Sequence, residues 1–102
     1  MVTATAAYRI RWRPMAVGDL HEIIDYIARD DPVRAETFGQ ELQDKTLVLS
    51  EHPRLGRAGR PGLAKGVREV VAHPSYIVLY RVHPAQREVV ILRVKHASQR
   101  IP

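Results

Sequence analysis

Histidine is the side chain in this sequence best suited to proton transfer near neutral pH, and five histidines occur among the 102 residues. Three of them, His52, His73 and His83, stand directly before a proline in a predicted turn, which is typical of a loop rather than a site. His21 lies within a predicted helix, among acidic residues. His96 follows the last predicted strand, where it could move a proton or hydrogen-bond to the backbone, and the sequence leaves both roles open.

Metal, thiol and phosphate-loop chemistry find no support in the sequence. No two histidines have the i, i+4 spacing with which one helix holds a metal ion. The absence of cysteine excludes disulfides, thiolate zinc sites and cysteine nucleophiles. The glycines between Gly56 and Gly66 lead into a strand rather than a helix, so they serve turns and do not cradle a phosphate. We therefore expect no metal and no cofactor.

Positive charge is concentrated at the two ends of the sequence. The net charge is +5 and the isoelectric point is about 10.1. Residues 1–14 carry three arginines and no acid, residues 15–51 carry nine acids and three bases, and residues 52–102 carry ten bases and two acids. This asymmetry favours a polyanionic or acidic partner, with an unevenly charged but functionless surface as the alternative.

The densest basic run extends from Arg54 to Arg68 and contains five basic residues and no acid. Its prolines and glycines predict a loop. Two further arginines lie on predicted strands. The candidate residues for binding a target or a nucleic acid are Arg54, Arg57, Arg60, Lys65, Arg68, Arg81 and Arg93.

Hydrophobic periodicity predicts the elements that position these side chains. Residues 8–13 alternate between apolar residues and arginines, which predicts a half-buried strand, and Pro14 ends it. The period then lengthens to three and four residues, which predicts an amphipathic helix from Ala16 to about Arg29. Its expected core face is Val17, Leu20, Ile24 and Ile27.

A second helix follows after a link of two or three residues. Asp31 is its predicted N-cap and Pro32 its first residue, and it is expected to run to about Glu51. The short link predicts an antiparallel helical hairpin. The expected core face of this helix is Ala35, Phe38, Leu42 and Leu49.

Three strands are predicted after the basic loop, over residues 67–72, 76–82 and 88–94. The second is apolar on both faces and should be central. The sequence thus predicts one α+β domain over residues 7–102, of order β-α-α-β-β-β, with a helical hairpin packed on a four-stranded, mainly antiparallel sheet. Residues 1–6 are expected to be a flexible extension. Neither a secretory signal nor a membrane span is apparent, so we expect a soluble, cytoplasmic protein with no membrane partner.

This order, with its particular residues, resembles the RelE/ParE family of toxins. No single piece is specific, but their order and spacing jointly are, and they cover residues 8–96. The matching pieces are the Tyr8-x-Ile10-x-Trp12 strand, the helix of residues 19–28, Pro53-x-x-Gly56-Arg57, Gly66-x-Arg68-Glu69, residues 76–82, and Ile91-Leu92-x-Val94-x-His96.

The resemblance implies the toxin of a type II toxin–antitoxin system, which halts growth until a cognate antitoxin wraps it. ParE-like members bind DNA gyrase and perform no chemistry of their own, whereas RelE-like members cut mRNA in the ribosome. The antitoxin is expected to cover Trp12, Tyr76 and Tyr80 together with the helical hairpin, although aromatic residues in a central strand also commonly fill the core.

A RelE-like nuclease needs a base, an acid and positive charge on the phosphorane. The resemblance offers Arg68 and His96 for these roles. Ile77, however, stands where RelE-like nucleases carry a basic residue at the start of the central strand, and isoleucine cannot neutralise a phosphate. The sequence therefore favours a ParE-like gyrase inhibitor. A RelE-like mRNA endonuclease and a non-toxic antitoxin-binding or nucleic-acid-binding module of the same fold are the alternatives.

Overall fold

Two helices form the predicted hairpin in the computed structural model of the chain, which describes residues 7–58 and 61–97. α1 spans Pro14–Ala28 and α2 spans Pro32–Leu47. Asp31 caps α2 as predicted, since its carboxylate accepts a hydrogen bond of 3.0 Å from the Arg34 backbone N–H. α2 ends earlier than expected and continues as a 3₁₀ turn over Val48–Ser50. The extension predicted for residues 1–6 lies outside the described residues.

Five strands form one sheet in the order β1-β5-β4-β3-β2. Their bounds are Arg9–Trp12, Arg57–Ala58, Arg68–His73, Tyr76–His83 and Glu88–His96 for β1 to β5. β1 runs parallel to β5 and the other neighbours are antiparallel. The α+β prediction is confirmed with one difference in strand count. The short β2 lies in the predicted basic loop, where the glycines and prolines indicate a loop and a strand of only two residues leaves no alternating pattern.

The hairpin packs on one face of this sheet, which we call the helix face. The core there is formed by α1, α2 and alternate residues of β3, β4 and β5, and includes Phe38, Leu42, Val78 and Tyr80. Val17, predicted to face the core, is instead 36% exposed, and its neighbour Ala16 is fully buried. The other predicted core residues of α1 are confirmed, because Leu20 is buried and Ile24 and Ile27 pack against the same core. Only the first position of the predicted stripe is therefore wrong. No helix in the described ranges is long and apolar enough to cross a membrane.

A bulge between β4 and β5 changes which side chains share a face. Tyr80 lies opposite Ile91, but the preceding Leu79 lies opposite Arg93, so Leu92 is an extra residue. Lys95 and His96, which follow the predicted end of the last strand at residue 94, are paired residues of β5, and Lys95 lies opposite Ile77. The bulge therefore brings basic side chains at the end of β5 to the face opposite the hairpin.

Candidate functional site

The sheet face turned away from the hairpin carries most of the charged side chains of the strands, and we call it the open face. The cross-strand register places Arg11, Val90 and Arg81 side by side on it, and Ile77 beside Lys95. The open face includes the cationic or titratable side chains of Arg9, Arg11, Arg13, Arg57, Arg81, His83, Arg93 and Lys95, and the carboxylates of Glu69 and Glu88.

Only part of this positive charge is neutralised within the molecule. Glu88 lies 3.1 Å from Arg11 and 3.7 Å from Arg9. Within residues 7–58 and 61–97, Arg13 and Lys95 form no ion pair. The middle of the open face is therefore an electropositive surface that attracts anionic groups.

A groove of about 690 Å³ runs across the open face beside the loop of residues 62–66. Its cationic or titratable lining consists of Arg13, Arg81, His83, Arg93 and Lys95. Its floor is apolar, because Val67, Ile77 and Leu79 form a second buried cluster against which Leu63 and Leu92 pack. A groove with an apolar floor and a cationic rim can hold a ligand that combines an apolar group with negative charge.

Arg93 is fixed at the rim of this groove by Asp19 of α1. Its guanidinium donates two hydrogen bonds to the Asp19 carboxylate, of 2.7 Å and 3.0 Å. The Val94 N–H donates a further bond of 2.9 Å to the same carboxylate. Burial alone would raise the pKa of Asp19, but these bonds and the charges of Arg93 and Lys95 outweigh burial and lower the pKa below its ordinary value of 3.8. Arg93, predicted to bind a target, is thus largely committed to an internal ion pair.

The basic loop before β2 is anchored to the sheet at Gly56. The Gly56 N–H donates a 2.8 Å hydrogen bond to the Tyr80 hydroxyl, and the Gly56 carbonyl accepts a 2.7 Å bond from the Arg68 guanidinium. A Cβ at position 56 would lie 2.6 Å from the Glu69 carbonyl oxygen and 2.7 Å from the Tyr80 hydroxyl. Glycine is therefore required at this position by the close approach of the loop to β3 and β4.

The two side chains that the family resemblance offers for RNA cleavage are not brought together. Arg68 lies opposite Tyr80 and donates a hydrogen bond to the Gly56 carbonyl. His96 lies opposite Tyr76, and the centroids of these two rings are 5.1 Å apart. One strand and four residues of β4 separate them, which is roughly 13 Å along the strand direction. Ile77 is buried in the apolar cluster of the open face. Arg68 and His96 therefore do not form one catalytic constellation.

The remaining candidates for target binding differ in their exposure and in their partners. Arg54 and Lys65 are exposed on the loop. Arg57 pairs with Glu69 at 2.5 Å and remains 71% exposed. Arg81 lies on the open face and donates a 2.8 Å bond to the Lys65 carbonyl. Arg60 lies outside the described residues.

The aromatic residues expected to contact an antitoxin lie on the helix face. Tyr80 is fully buried, so it offers no surface to a partner and is removed from the candidate set. Burial also raises the pKa of its phenol, against the opposing effects of the Gly56 hydrogen bond and the Arg68 charge. Trp12 and Tyr76 are half-buried, and the Tyr76 ring also packs edge-on against Phe38 at 5.3 Å.

Several open-face residues were absent from the candidate set drawn from the sequence. Arg9, Arg11 and Arg13 alternate with the apolar residues of β1, so the sequence already indicates that these three arginines share a face. That this face belongs to the basic surface of the sheet depends on the pairing of β1 with β5, which the sequence does not show. His83 was assigned to a turn, although it is the last residue of β4. Lys95 reaches this face through the bulge, which no local pattern indicates.

Residues 10–101 match the model of a family described as the ParE toxin of type II toxin–antitoxin systems, parDE. The chain is 41% identical over 95 residues to the Y4kP protein of Sinorhizobium fredii, which is described provisionally as a toxin, covering 92% of this chain and 93% of that protein. It is 33% identical over 91 residues to toxin RelE2 of Caulobacter vibrioides, covering 89% and 97% of the two chains.

Two solved structures with the same fold belong to toxin–antitoxin systems. A chain of the chromosomal ParDE system from P. aeruginosa superimposes with a TM-score of 0.75 and 26% identity, over 90% of this chain and 98% of that one. A chain of the RelBE2 toxin–antitoxin complex from Mycobacterium tuberculosis gives a TM-score of 0.68 and 26% identity, over 94% and 98%.

Proposed function

Because the chain belongs to the ParE toxin family of type II toxin–antitoxin systems, we propose that it inhibits growth by binding DNA gyrase and that a cognate antitoxin neutralises it. The observation that carries the choice of gyrase is the separation of Arg68 from His96 on the sheet. A poison that acts by binding needs a complementary surface but no acid–base pair, and the electropositive groove of the open face supports this mode of action.

The charge of the open face supports binding to gyrase or to the DNA that it holds. Among the described residues, Arg81 of the groove forms no ion pair, but it donates a hydrogen bond to the Lys65 carbonyl. Arg13 and Lys95 of the groove form no ion pair with any described residue either, and they remain available to carboxylates or phosphates. Contacts of this kind give an affinity that falls steeply with salt concentration. Exposed arginines of the basic loop, such as Arg54, extend the same charge beyond the groove.

We place the antitoxin contact away from the groove of the open face, at a second groove between α2 and the end of β3, where apolar side chains lie beside Glu41, Asp44 and Lys45. This groove has a volume of about 560 Å³, and Phe38 and Ala72 are among its lining residues. Val71 also lines it and is 68% exposed. An exposed apolar side chain beside a groove is a typical anchor point for a partner.

The gyrase proposal is tested by incubating purified gyrase and relaxed plasmid with the refolded chain, with and without the product of the neighbouring antitoxin gene. Loss of supercoiling or accumulation of cleaved plasmid, reversed by the antitoxin, is the expected result. A folded chain that stops growth but leaves both gyrase activities unchanged would refute the proposal.

Ribosome-dependent mRNA cleavage is the second candidate, and the position of His83 favours it. This imidazole lines the groove together with Arg13 and Arg81, so a proton-transfer group and positive charge share one surface. The test is to map mRNA ends in a translating extract with wild type, His83→Ala and His96→Ala. Cuts that depend on His83 would establish the nuclease, and an absence of new ends with active wild type would eliminate it.

A further inference from the structure

The loop of residues 62–66 covers the apolar floor of the open face and begins and ends at glycines with positive φ. Gly62 has a φ of 96° and Gly66 a φ of 87°, values that residues with a side chain rarely adopt. The segment between them, Leu63-Ala64-Lys65, belongs to no strand or helix. We call residues 62–66 the flap.

Among the residues that the structure describes, two hydrogen bonds and one apolar side chain hold the flap in place. The Val67 N–H donates a 3.2 Å bond to the Ala64 carbonyl, and the exposed Arg81 guanidinium donates a 2.8 Å bond to the Lys65 carbonyl. The half-buried Leu63 supplies its apolar contact, against the cluster of Val67, Ile77 and Leu79. A segment with so few buried contacts opens at low free-energy cost.

Opening the flap would uncover an apolar patch bordered by cations. Ile77 and Leu79 are each 4% exposed while the flap is closed. Arg81 would lose the Lys65 carbonyl as its acceptor, and Arg13 and Lys95 lie along the same groove. A ligand that replaces Leu63 must therefore supply an apolar side chain and, beside it, negatively charged acceptors for these cations.

We propose that the open face binds an acidic peptide segment of a partner protein, and that an apolar side chain of that segment displaces Leu63 from the cluster of Val67, Ile77 and Leu79. A peptide fits better than a nucleic acid strand because Leu63, Leu79 and Leu92 line the groove and no Phe, Tyr or Trp of the described residues does, whereas single-stranded nucleic acids stack their bases mainly on aromatic side chains. The inference rests on the proposed function only in taking the partner to be a protein that this toxin binds.

Two fluorescent peptides test the proposal directly. One has aspartate and glutamate residues around a single leucine, and the other has serine in place of the leucine. Wild type should bind the leucine peptide more tightly than the serine peptide. Leu63→Ala should increase the ratio of the two affinities by about fivefold, because the half-buried Leu63 side chain no longer competes with the peptide's leucine. Leu55→Ala, which removes a leucine that is 59% exposed, is the matched control and should change neither affinity.

A second measurement follows the flap itself. The described residues contain no cysteine, and none occurs elsewhere in the sequence, so Ala64→Cys carries a unique fluorescent label on the exposed part of the flap. The leucine peptide should change the label's emission and the serine peptide should not. Arg13→Ala with Lys95→Ala should weaken both peptides equally, whereas Arg54→Ala should not.

Three outcomes would overturn the inference. Equal affinities for the two peptides would show that no apolar side chain enters the cluster. An unchanged label on saturation with the leucine peptide would show that the flap stays closed. Tighter binding of polyuridylate than of either peptide, with the same dependence on Arg13 and Lys95, would assign the groove to nucleic acid. Each readout is independent of gyrase, so failure of the gyrase proposal leaves the test intact.

Discussion

Asp19 and Arg93, 74 residues apart in the sequence, form a two-point ion pair that joins α1 to the end of β5. The same carboxylate accepts the Val94 N–H, at a place where β5 extends beyond the end of β1. The Asp19 side chain thus accepts a hydrogen bond from a backbone N–H at the edge of the sheet, orients an arginine of the open face and fixes the hairpin on the sheet.

Replacing Asp19 with asparagine should destabilise the fold by about 2 kcal/mol at neutral pH, since hydrogen bonds to a charged partner are lost from a partly buried site. The lowered pKa of Asp19 means that the unfolded chain binds this proton more readily than the folded chain. The ion pair therefore contributes fully at pH values well above 3.8 and is lost as the pH falls through the folded pKa.

Urea unfolding of wild type and Asp19→Asn across this pH range measures the effect. The difference in free energy of unfolding should narrow on acidification. Asp25→Asn, on the exposed side of the same helix, is the control. A difference that is independent of pH would contradict the assigned role of the carboxylate.

Tyr80→Phe should destabilise the protein by about 1–3 kcal/mol, because it leaves the buried Gly56 N–H without its acceptor. The basic loop should also loosen, so trypsin should cleave faster after Arg54 and Arg57. Chemical unfolding and timed proteolysis measure the two effects. Tyr26→Phe, at an exposed tyrosine, should affect neither, and a Tyr80→Phe protein indistinguishable from wild type would refute the anchoring role.

Two glycine-to-alanine substitutions should have opposite effects on stability. At Gly56 the added Cβ would overlap the backbone of β3, so Gly56→Ala should cost about 2 kcal/mol. At Gly18 no atom lies within 4 Å of the added Cβ, and Gly18→Ala should stabilise α1 by about 0.5–1 kcal/mol. Thermal unfolding of both variants checks the signs, and a stabilising Gly56→Ala would contradict the close approach.

Val71→Glu should weaken antitoxin binding by about tenfold and leave growth inhibition by the toxin alone unchanged, since it places a charge in the proposed apolar contact. Val71 is 68% exposed, so the substitution should not disturb folding. Co-expression rescue and direct titration measure neutralisation. Val33→Glu, at an even more exposed position at the start of α2, serves as the control, and full neutralisation of Val71→Glu would move the antitoxin contact elsewhere.

Local signals in the sequence were sufficient for most of the fold. Asp31 and Pro32 start α2 because capping depends on neighbouring residues only, and alternation over residues 8–13 defines the two sides of β1. The core face of α1 was predicted correctly at Leu20, Ile24 and Ile27. It was wrong at Val17, because Val17 and Ala16 are adjacent and the more hydrophobic one was assigned to the core.

The composition of the site depends on contacts that local patterns do not encode. Tyr76 and Tyr80 share a face by parity, yet Tyr80 is fully buried in the core and its hydroxyl is bonded to the basic loop at Gly56, whereas Tyr76 is only half-buried. The bulge beside Leu79 determines where Arg93 and Lys95 point, and Asp19 reaches Arg93 only in the folded chain.

The most direct test of the account is gyrase-dependent plasmid cleavage by wild type, an open-face variant and a charge-matched control. The open-face variant combines Arg13→Ala and Lys95→Ala, and the control combines Arg29→Ala and Lys45→Ala on the hairpin. The account predicts trapped, cleaved plasmid with wild type and control, and a requirement for about tenfold more of the open-face variant, since each lost contact of an exposed cation costs up to about 1 kcal/mol. Equal potency of all three proteins, or no cleavage by a wild type that halts growth, would contradict it.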